Sequence, residues 1–209
     1  RIDNDGIVDY VNVYELDANG VPVAPSGVLS TDAVFENRED ADTVEIDHLR
    51  ASLLFEPNDS ARFILSHQYQ SDDIGGRRQQ TVGLDGLGEA YGDYQNGSVQ
   101  LEPSSRDVDM TSLEAEFDLG FATLSSSTSA YEHTGESVSE NTGFYAQLGW
   151  LGAYYYNYSR PMASAYRSYD DQAFTQEIRL VSNGDGAFDY VAGIYYRDQD
   201  TDSTQTSSL

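Results

Sequence analysis

The pattern that decides the fold lies in residues 49–70, which read LRASLLFEPNDSARFILSHQYQ. Apolar and polar side chains alternate in both halves of this stretch, and Pro57-Asn58-Asp59-Ser60 separates the halves. Alternation with a period of two is typical of half-buried β-strands, and Pro, Asn, Asp and Ser favour tight turns. The stretch therefore predicts a β-hairpin.

Two further segments, residues 108–131 and 172–200, repeat this pattern. Leu119-Gly120 divides the first of them, and a glycine-rich run at 183–187 divides the second. Both runs favour tight turns. Together with residues 43–70, these segments predict an all-β fold of about six strands, arranged as three hairpins in one antiparallel meander.

The connections between the predicted hairpins are long and polar, at residues 71–107 and 132–171, and residues 1–42 precede the first hairpin. Connections longer than about 15 residues are uncommon in compact domains. An alternation of short and long connections is typical of hairpins that cross a bilayer, with short periplasmic turns and long extracellular loops. We therefore expect all three long segments to be extracellular loop regions.

Composition narrows the classes of function. The chain has 209 residues, 11 basic and 36 acidic side chains, and a formal net charge of −25 at pH 7, which excludes a nucleic-acid partner. It contains no cysteine, so disulfides, thiolate metal sites and cysteine nucleophiles are excluded. Only 39% of the residues are hydrophobic. A membrane barrel tolerates so low a fraction, because one strand face meets lipid and the other a wet lumen.

Aromatic residues lie near the ends of the predicted strands, as in the aromatic girdles of membrane barrels. Phe55 and Phe63 flank the first short turn, and Tyr69 and Tyr131 lie toward the long loops. The alternative is that aromatic residues simply favour strands. Six strands are too few to close a barrel, since small barrels use about eight. The chain is therefore expected to form an arc of a large transmembrane β-barrel.

Four segments resemble TonB-dependent receptors. Residues 174–182 (FTQEIRLVS) resemble a recurrent barrel strand of that family, and residues 189–198 (DYVAGIYYRD) resemble the strand that follows it. Residues 53–59 (LLFEPND) are similar to an earlier strand and periplasmic turn, and residues 1–9 (RIDNDGIVD) to a loop just upstream. The segments occur in matching order over nearly the whole chain.

The resemblance implies a barrel of about 22 strands in the outer membrane of a Gram-negative bacterium, with a plug in its lumen. Such receptors import scarce ligands (siderophores, cobalamin, haem or oligosaccharides) with energy passed on by TonB. The implied partners are outer-membrane lipid, the plug domain of the same parent chain, the TonB complex through that chain, and a small-molecule ligand. The sequence shows no signal peptide, plug or TonB-contacting segment, so we expect a middle portion of the barrel that uses no cofactor.

Charged residues on the polar strand faces are expected to line the lumen. They are Arg50, Arg62, Glu114, Glu116, Glu177 and Arg179. Arg62 and Glu116 are expected to come within pairing distance. Glu114 and Glu116 on one strand face could instead suggest a glycosidase, but that chemistry needs two carboxylates that converge across a cleft. Without a nucleophile, phosphate-binding or dinucleotide motif, the chain is not expected to be an enzyme.

No metal site is predicted. His48, His67 and His133 lack partners at ligand spacing. Asp3-Asn4-Asp5-Gly6 resembles the start of a calcium loop, but Arg1 and Asn12 occupy positions that need carboxylates, so a solvated turn is favoured.

The aromatic segment of the last long loop is the best candidate for ligand recognition. Rings cover apolar or sugar surfaces at little cost in entropy, and arginines pair with anionic groups. The candidate ligand-binding residues are Trp150, Tyr154, Tyr156, Arg160 and Arg167. The alternative is that this loop packs on itself or on a neighbouring loop.

Two other functions remain open at the level of sequence. A passive porin-like channel would show the same strand pattern, and only a plug upstream would distinguish it from an importer. A secreted acidic β-sandwich or adhesin would turn its apolar strand faces inward and would scatter its long loops to both ends.

Overall fold

The computed structural model describes residues 1–19, 35–84, 88–147, 162–184 and 188–208. In chain order these residues form β1 (Ile2–Asn4), β2 (Asp9–Tyr14), β3 (Phe35–Arg38), β4 (Val44–Asn58), β5 (Ala61–Ile74), β6 (Gln95–Asn96), β7 (Ser104–Asp118), β8 (Ala122–Glu140), α1 (Thr142–Gln147), β9 (Ser164–Ser182) and β10 (Val191–Ser208). None of the helices in the described residues is long and apolar enough to cross a membrane.

Seven of the strands form one antiparallel sheet, which we call the large sheet, in the order β1-β4-β5-β7-β8-β9-β10. The pairs β4–β5, β7–β8 and β9–β10 are the three hairpins, so the predicted all-β antiparallel meander is confirmed. The strand ends that the short connections join lie at one end of the sheet, and the strand ends on either side of residues 75–103 and 141–163 lie at the other. We call these the turn end and the loop end.

The strands are longer than predicted, and the boundaries of the loops at 71–107 and 132–171 are wrong. β5 continues to Ile74 and β7 begins at Ser104, while β8 continues to Glu140 and β9 begins at Ser164. The added residues carry polar side chains on both faces, as in Asp170-Asp171, and show no regular alternation of apolar and polar residues. Backbone hydrogen bonds extend the ladder regardless of side-chain polarity.

The sheet also has one strand more than predicted, because Ile2–Asn4 pairs with Val44–Ile46 of β4. Residues 1–42, expected to be a loop region, therefore contain β1, β2 and β3. The last hairpin likewise runs past residue 200, to Ser208.

The register aligns apolar side chains across the large sheet on one face. One cross-strand row contains Leu53, Leu65 and Leu113, and the next contains Phe55, Phe63 and Ala115. The rings of Phe55 and Phe63 lie 6.1 Å apart, and Phe63 meets Phe117 edge to face at 5.4 Å. We call this side of the sheet the apolar face, and the opposite side the arginine face.

Side chains of the apolar face stay exposed. Leu53 is 65% exposed and Ile194 is 70% exposed. Both edges of the large sheet are also open in the described residues, because β10 pairs only with β9, and β1 covers only Val44–Ile46 of β4. The sheet therefore has backbone groups and apolar surface that nothing in these residues covers.

The buried core lies beside the loop end. β3, β2 and β6 form a second sheet in that order, which we call the small sheet. Val8, Tyr10 and Val13 form its core, and Ala41 and Leu101 pack against them. Tyr10 has no exposed surface.

Candidate functional site: the arginine face and the loop end

The six residues predicted to line a lumen share the arginine face of the large sheet. Arg62 lies opposite Glu116, and Glu114 lies opposite Ser127, which in turn lies opposite Glu177. Arg50 and Arg179 have the same parity in their own ladders. The prediction that these side chains lie on one face is confirmed, whereas a lumen remains a prediction.

The predicted pair between Arg62 and Glu116 does not form. Their Cα atoms are opposite each other, but the guanidinium of Arg62 lies 3.7 Å from the carboxylate of Glu56, on the other arm of the hairpin. Both side chains are more than half exposed, so little packing holds Arg62 toward either acid. Arg179 is paired with Glu177 on its own strand.

The arginines of the six long strands all lie on one face of the large sheet. All 11 basic residues of the chain are arginines, and those of the six long strands lie on the arginine face: Arg50, Arg62, Arg106, Arg167, Arg179 and Arg197. On the apolar face these strands carry carboxylates toward the loop end but no arginine. Arg106 and Arg197 are not among the predicted lumen residues, although alternation along β10 places Arg197 at a polar position.

A hydrogen-bonded cluster lies on the arginine face across β8, β9 and β10. Asp171 accepts hydrogen bonds from Tyr131 at 2.8 Å, Gln199 at 2.6 Å and Thr201 at 2.7 Å. The Tyr131 hydroxyl oxygen in turn accepts a hydrogen bond from the Arg197 guanidinium at 3.3 Å. These side chains surround Ala173, which is buried. We call this group the Arg197 cluster.

A second group lies on the same face one step nearer the loop end. Arg106 forms an ion pair with Asp72 on the neighbouring strand. Tyr169 shares a hydrogen bond of 2.9 Å with the Nε2 atom of His133. A Cβ atom at Gly135 would lie 2.6 Å from the Tyr169 hydroxyl, so only glycine admits the ring there. The two groups together give this part of the face many hydrogen-bond donors.

Two consecutive arginines that follow β5 form ion pairs in the segments between the small sheet and the large sheet. Arg78 lies 2.5 Å from Asp42, whose carboxylate also accepts hydrogen bonds from the backbone N–H groups of Ile7 and Val8. Arg77 lies 3.1 Å from Glu102 and donates to the Ser139 hydroxyl at 3.0 Å. The side chains of Asp42 and Glu102 are buried. Buried charges are stable only when paired in this way.

Ionisation in the small sheet follows from these contacts. Burial by itself would raise the pKa of Asp42, but the hydrogen bonds from Arg78, Ile7 and Val8 outweigh it, so that pKa is lowered. Burial raises the pKa of Tyr10 to about 12. The hydroxyl oxygen of Tyr10 accepts a hydrogen bond of 2.9 Å from the backbone N–H of Arg77. Near pH 7 the Asp42 carboxylate is therefore charged and the Tyr10 hydroxyl is neutral.

Four of the predicted ligand-binding residues, Trp150, Tyr154, Tyr156 and Arg160, lie outside the described residues. The fifth, Arg167, lies within β9 and not in a loop, and it donates to the Gln205 side chain at 2.9 Å. The prediction that Arg167 lies in a loop is wrong, because the first residues of β9 show no regular alternation of apolar and polar side chains.

Two of the three histidines have polar neighbours in the large sheet, and His67 also lies 3.7 Å from the Asp109 carboxylate. His67 lies 3.1 Å from the Thr111 hydroxyl, and His133 contacts Tyr169. The described residues contain no group of three or more His, Asp or Glu side chains placed to hold a metal ion.

Comparisons of the chain with protein-family models, curated proteins and solved structures gave no match. An account of function therefore depends on the geometry above and on the sequence pattern.

Proposed function

We propose that this chain is part of the barrel of an outer-membrane receptor of the TonB-dependent type, which imports a scarce small molecule. The observation that carries the proposal is the exposed apolar band on one face of the long hairpins, bounded at the loop end by polar and charged side chains. Lipid is the solvent that makes such a band favourable, because it removes apolar surface from water.

The loop-end border of the band can be followed from strand to strand. On each long strand, one residue ends the band, and the next residue on the same face lies beyond the border. In the order β4, β5, β7, β8, β9 and β10, these pairs are Leu49/Asp47, Tyr69/Ser71, Thr111/Asp109, Ala130/Glu132, Phe174/Gln172 and Tyr196/Asp198. Four of the six residues beyond the border are acids.

This border does not run straight along the cross-strand rows. Leu49 and Tyr69, which mark the border on β4 and β5, are paired in one cross-strand row. On β10 that row contains Asp200, whereas the border lies at Tyr196, four residues away along the strand. Four residues are about 13 Å along a strand, and five strand spacings are about 24 Å. A border that is level in a bilayer therefore implies a strand tilt of about 30°, near the ~35–45° of membrane barrels.

Polar side chains inside the band have partners within the protein. The amide of Gln176 donates to the Ser126 hydroxyl at 2.9 Å and accepts from Thr128 at 2.6 Å, and His67 is bonded to Thr111 at 3.1 Å. A hydrocarbon environment requires this, because an unpaired polar group there costs several kcal/mol.

Strand length also fits the proposal. A tilted strand spans the bilayer with about 9–11 residues, whereas the six long strands have 14 to 19. The excess lies at the loop end, where polar and charged side chains occur on both faces, which suits a barrel wall that continues into water. The small sheet would then lie outside the cell.

The open edges of the large sheet define the structural partners in this proposal. In lipid every backbone N–H and C=O group must be paired, so β10 and β4 need neighbouring strands from the same parent chain. The arginine face would line the lumen and meet the plug domain. Trp150, Tyr154, Tyr156 and Arg160 remain the predicted sites of first ligand contact.

The alternatives differ in what supports them. A β-sandwich is disfavoured because the apolar face is uncovered in the described residues and the long connections share one end. A passive porin-like channel would have the same strands, and the segments that resemble TonB-dependent receptors favour the importer over it.

A charge-insertion experiment tests the membrane placement. Leu65 and Ser66 are adjacent in β5 and point to opposite faces, so Leu65→Arg and Ser66→Arg form a matched pair. Arginine on the lipid side costs about 2–4 kcal/mol near the midplane, whereas a lumen position tolerates it. In the full-length parent expressed in a Gram-negative host, we expect Leu65→Arg to reduce folded receptor in the outer-membrane fraction and Ser66→Arg to leave it near wild type. Equal amounts of both variants would contradict the proposal.

A further inference from the structure

The Arg197 cluster of the arginine face contains an arginine that forms no direct ion pair. Six arginines lie on this face, and three of them are paired with a carboxylate: Arg62 with Glu56, Arg106 with Asp72, and Arg179 with Glu177. Arg50, Arg167 and Arg197 have no carboxylate within ion-pairing distance in the described residues. In a chain with a net charge of −25, unpaired arginines on one face point to a ligand that supplies the negative charge.

Arg197 is the best placed of the three. Its guanidinium is oriented by a 3.3 Å hydrogen bond to the Tyr131 hydroxyl oxygen. Asp171 lies beside it but is occupied by three neutral donors, from Tyr131, Gln199 and Thr201. Asp171 therefore takes its hydrogen bonds from neutral donors, and Arg197 acts on it only through the attraction of the two charges. Most of the guanidinium N–H groups of Arg197 stay available for a ligand.

The position of Arg197 suits a ligand that enters from the loop end. Arg197 lies between Tyr196 and Asp198, which mark the border of the apolar band on β10, and its side chain points to the opposite face. In the proposed membrane frame, it therefore lies on the lumen wall level with the outer edge of the hydrocarbon. A ligand that passes the loops reaches this level before it enters the membrane-spanning part of the barrel.

We propose that the Arg197 cluster binds a small oxyanion, a carboxylate or phosphate group of the transported ligand. A planar guanidinium binds either group through two parallel N–H···O bonds. The inference rests on the proposed function, because it takes the arginine face to be a lumen wall. It deepens that function by giving the ligand a negative charge.

Binding of oxyanion probes to the purified full-length receptor in detergent micelles tests the inference. The probes are citrate, inorganic phosphate and the uncharged triethyl ester of citrate, and the measurement is calorimetric titration. The variants are Arg197→Gln and Arg197→Lys. Arg179→Gln is the matched control, because it removes an arginine from the same face that is already paired with Glu177. We expect at least tenfold weaker binding of citrate or phosphate by Arg197→Gln, partial retention by Arg197→Lys, and no change in Arg179→Gln.

Each outcome is decisive. Binding of citrate alone assigns the site to carboxylates, and binding of phosphate alone assigns it to phosphates, provided that either depends on Arg197. Equal binding by wild type and Arg197→Gln, or binding of the uncharged ester as tight as that of citrate, overturns the inference. If the receptor reaches the outer membrane but binds neither oxyanion, the inference fails and the proposed function stands. If it does not reach the outer membrane, both fail.

Discussion

The two sheets of this protein follow opposite rules of burial. In the small sheet Val8 and Tyr10 are almost completely buried, and Asp42 is buried with its hydrogen bonds satisfied. In the large sheet Leu53, Phe55 and Leu65 of the apolar face are exposed, and β10 is exposed along its whole length. The small sheet therefore has a buried core of the kind found in water-soluble domains, whereas no second layer covers the apolar face of the large sheet in the described residues.

Under the proposed function, this difference places the two sheets in two solvent environments. The small sheet uses side-chain packing, buried ion pairs and a tyrosine hydroxyl. The large sheet is held together by cross-strand hydrogen bonds, and in the proposed membrane placement lipid covers its apolar face in place of a core. Perturbations of solvent and of side chains should therefore affect the two sheets differently.

The largest expected difference is the response to detergent. Without detergent the large sheet exposes an apolar face and two open edges, so we expect the chain expressed alone to aggregate despite its charge of −25. Detergent micelles should reduce aggregation by covering the apolar face. Analytical ultracentrifugation with and without detergent measures this. A monodisperse, cooperatively melting monomer in plain buffer would favour the β-sandwich instead.

The second largest expected difference is the loss of stability when an aromatic ring is removed from each sheet. Tyr10→Ala removes a ring with no exposed surface, for which a loss of about 3–5 kcal/mol is typical. Phe55→Ala in the large sheet removes a ring that is 58% exposed, and we expect a cost of less than about 1 kcal/mol. Hydrogen exchange of β2 and β4 in micelles measures both effects. A similar loss in the two variants would mean that the large sheet has a packed core after all.

The smallest of the three expected effects is that of acid, which should lower the stability of the small sheet by protonating Asp42. The pKa of Asp42 is lowered in the folded protein, so its charged form stabilises folding fully above the unfolded-state pKa of about 3.9. That contribution is lost as the pH falls from about 3.9 through the lower folded-state pKa. We expect hydrogen exchange at Ile7 and Val8, corrected for intrinsic rates, to increase over that range.

Asp42→Asn is the control for this effect. It keeps the side-chain shape and one acceptor but removes the charge, so its exchange should be faster at neutral pH and nearly independent of pH below 4. The same pH dependence in wild type and Asp42→Asn would show that another group weakens the small sheet in acid.

The sequence by itself determined the three hairpins and their faces. Alternation in β4, β5 and β7 follows from the two-residue repeat of a strand, and Pro57 to Ser60 contains residues that favour turns. The same alternation correctly placed Arg50, Arg62, Glu114, Glu116, Glu177 and Arg179 on one face. Local chemistry was sufficient because each of these features depends only on neighbouring residues.

Only the tertiary structure decided the ends of the strands, the small sheet and the contacts of the arginines. The extensions of β8 and β9 mix polar and apolar residues without a two-residue repeat and are held by backbone pairing, so the sequence does not reveal them as strands. Arg62 lies opposite Glu116 yet contacts Glu56, because register fixes Cα positions and not the direction of a long exposed side chain. The Arg197 cluster and the pair of Arg78 with Asp42 join residues that are 28 to 68 positions apart in the chain. No local pattern encodes such contacts, since they exist only after the strands have paired.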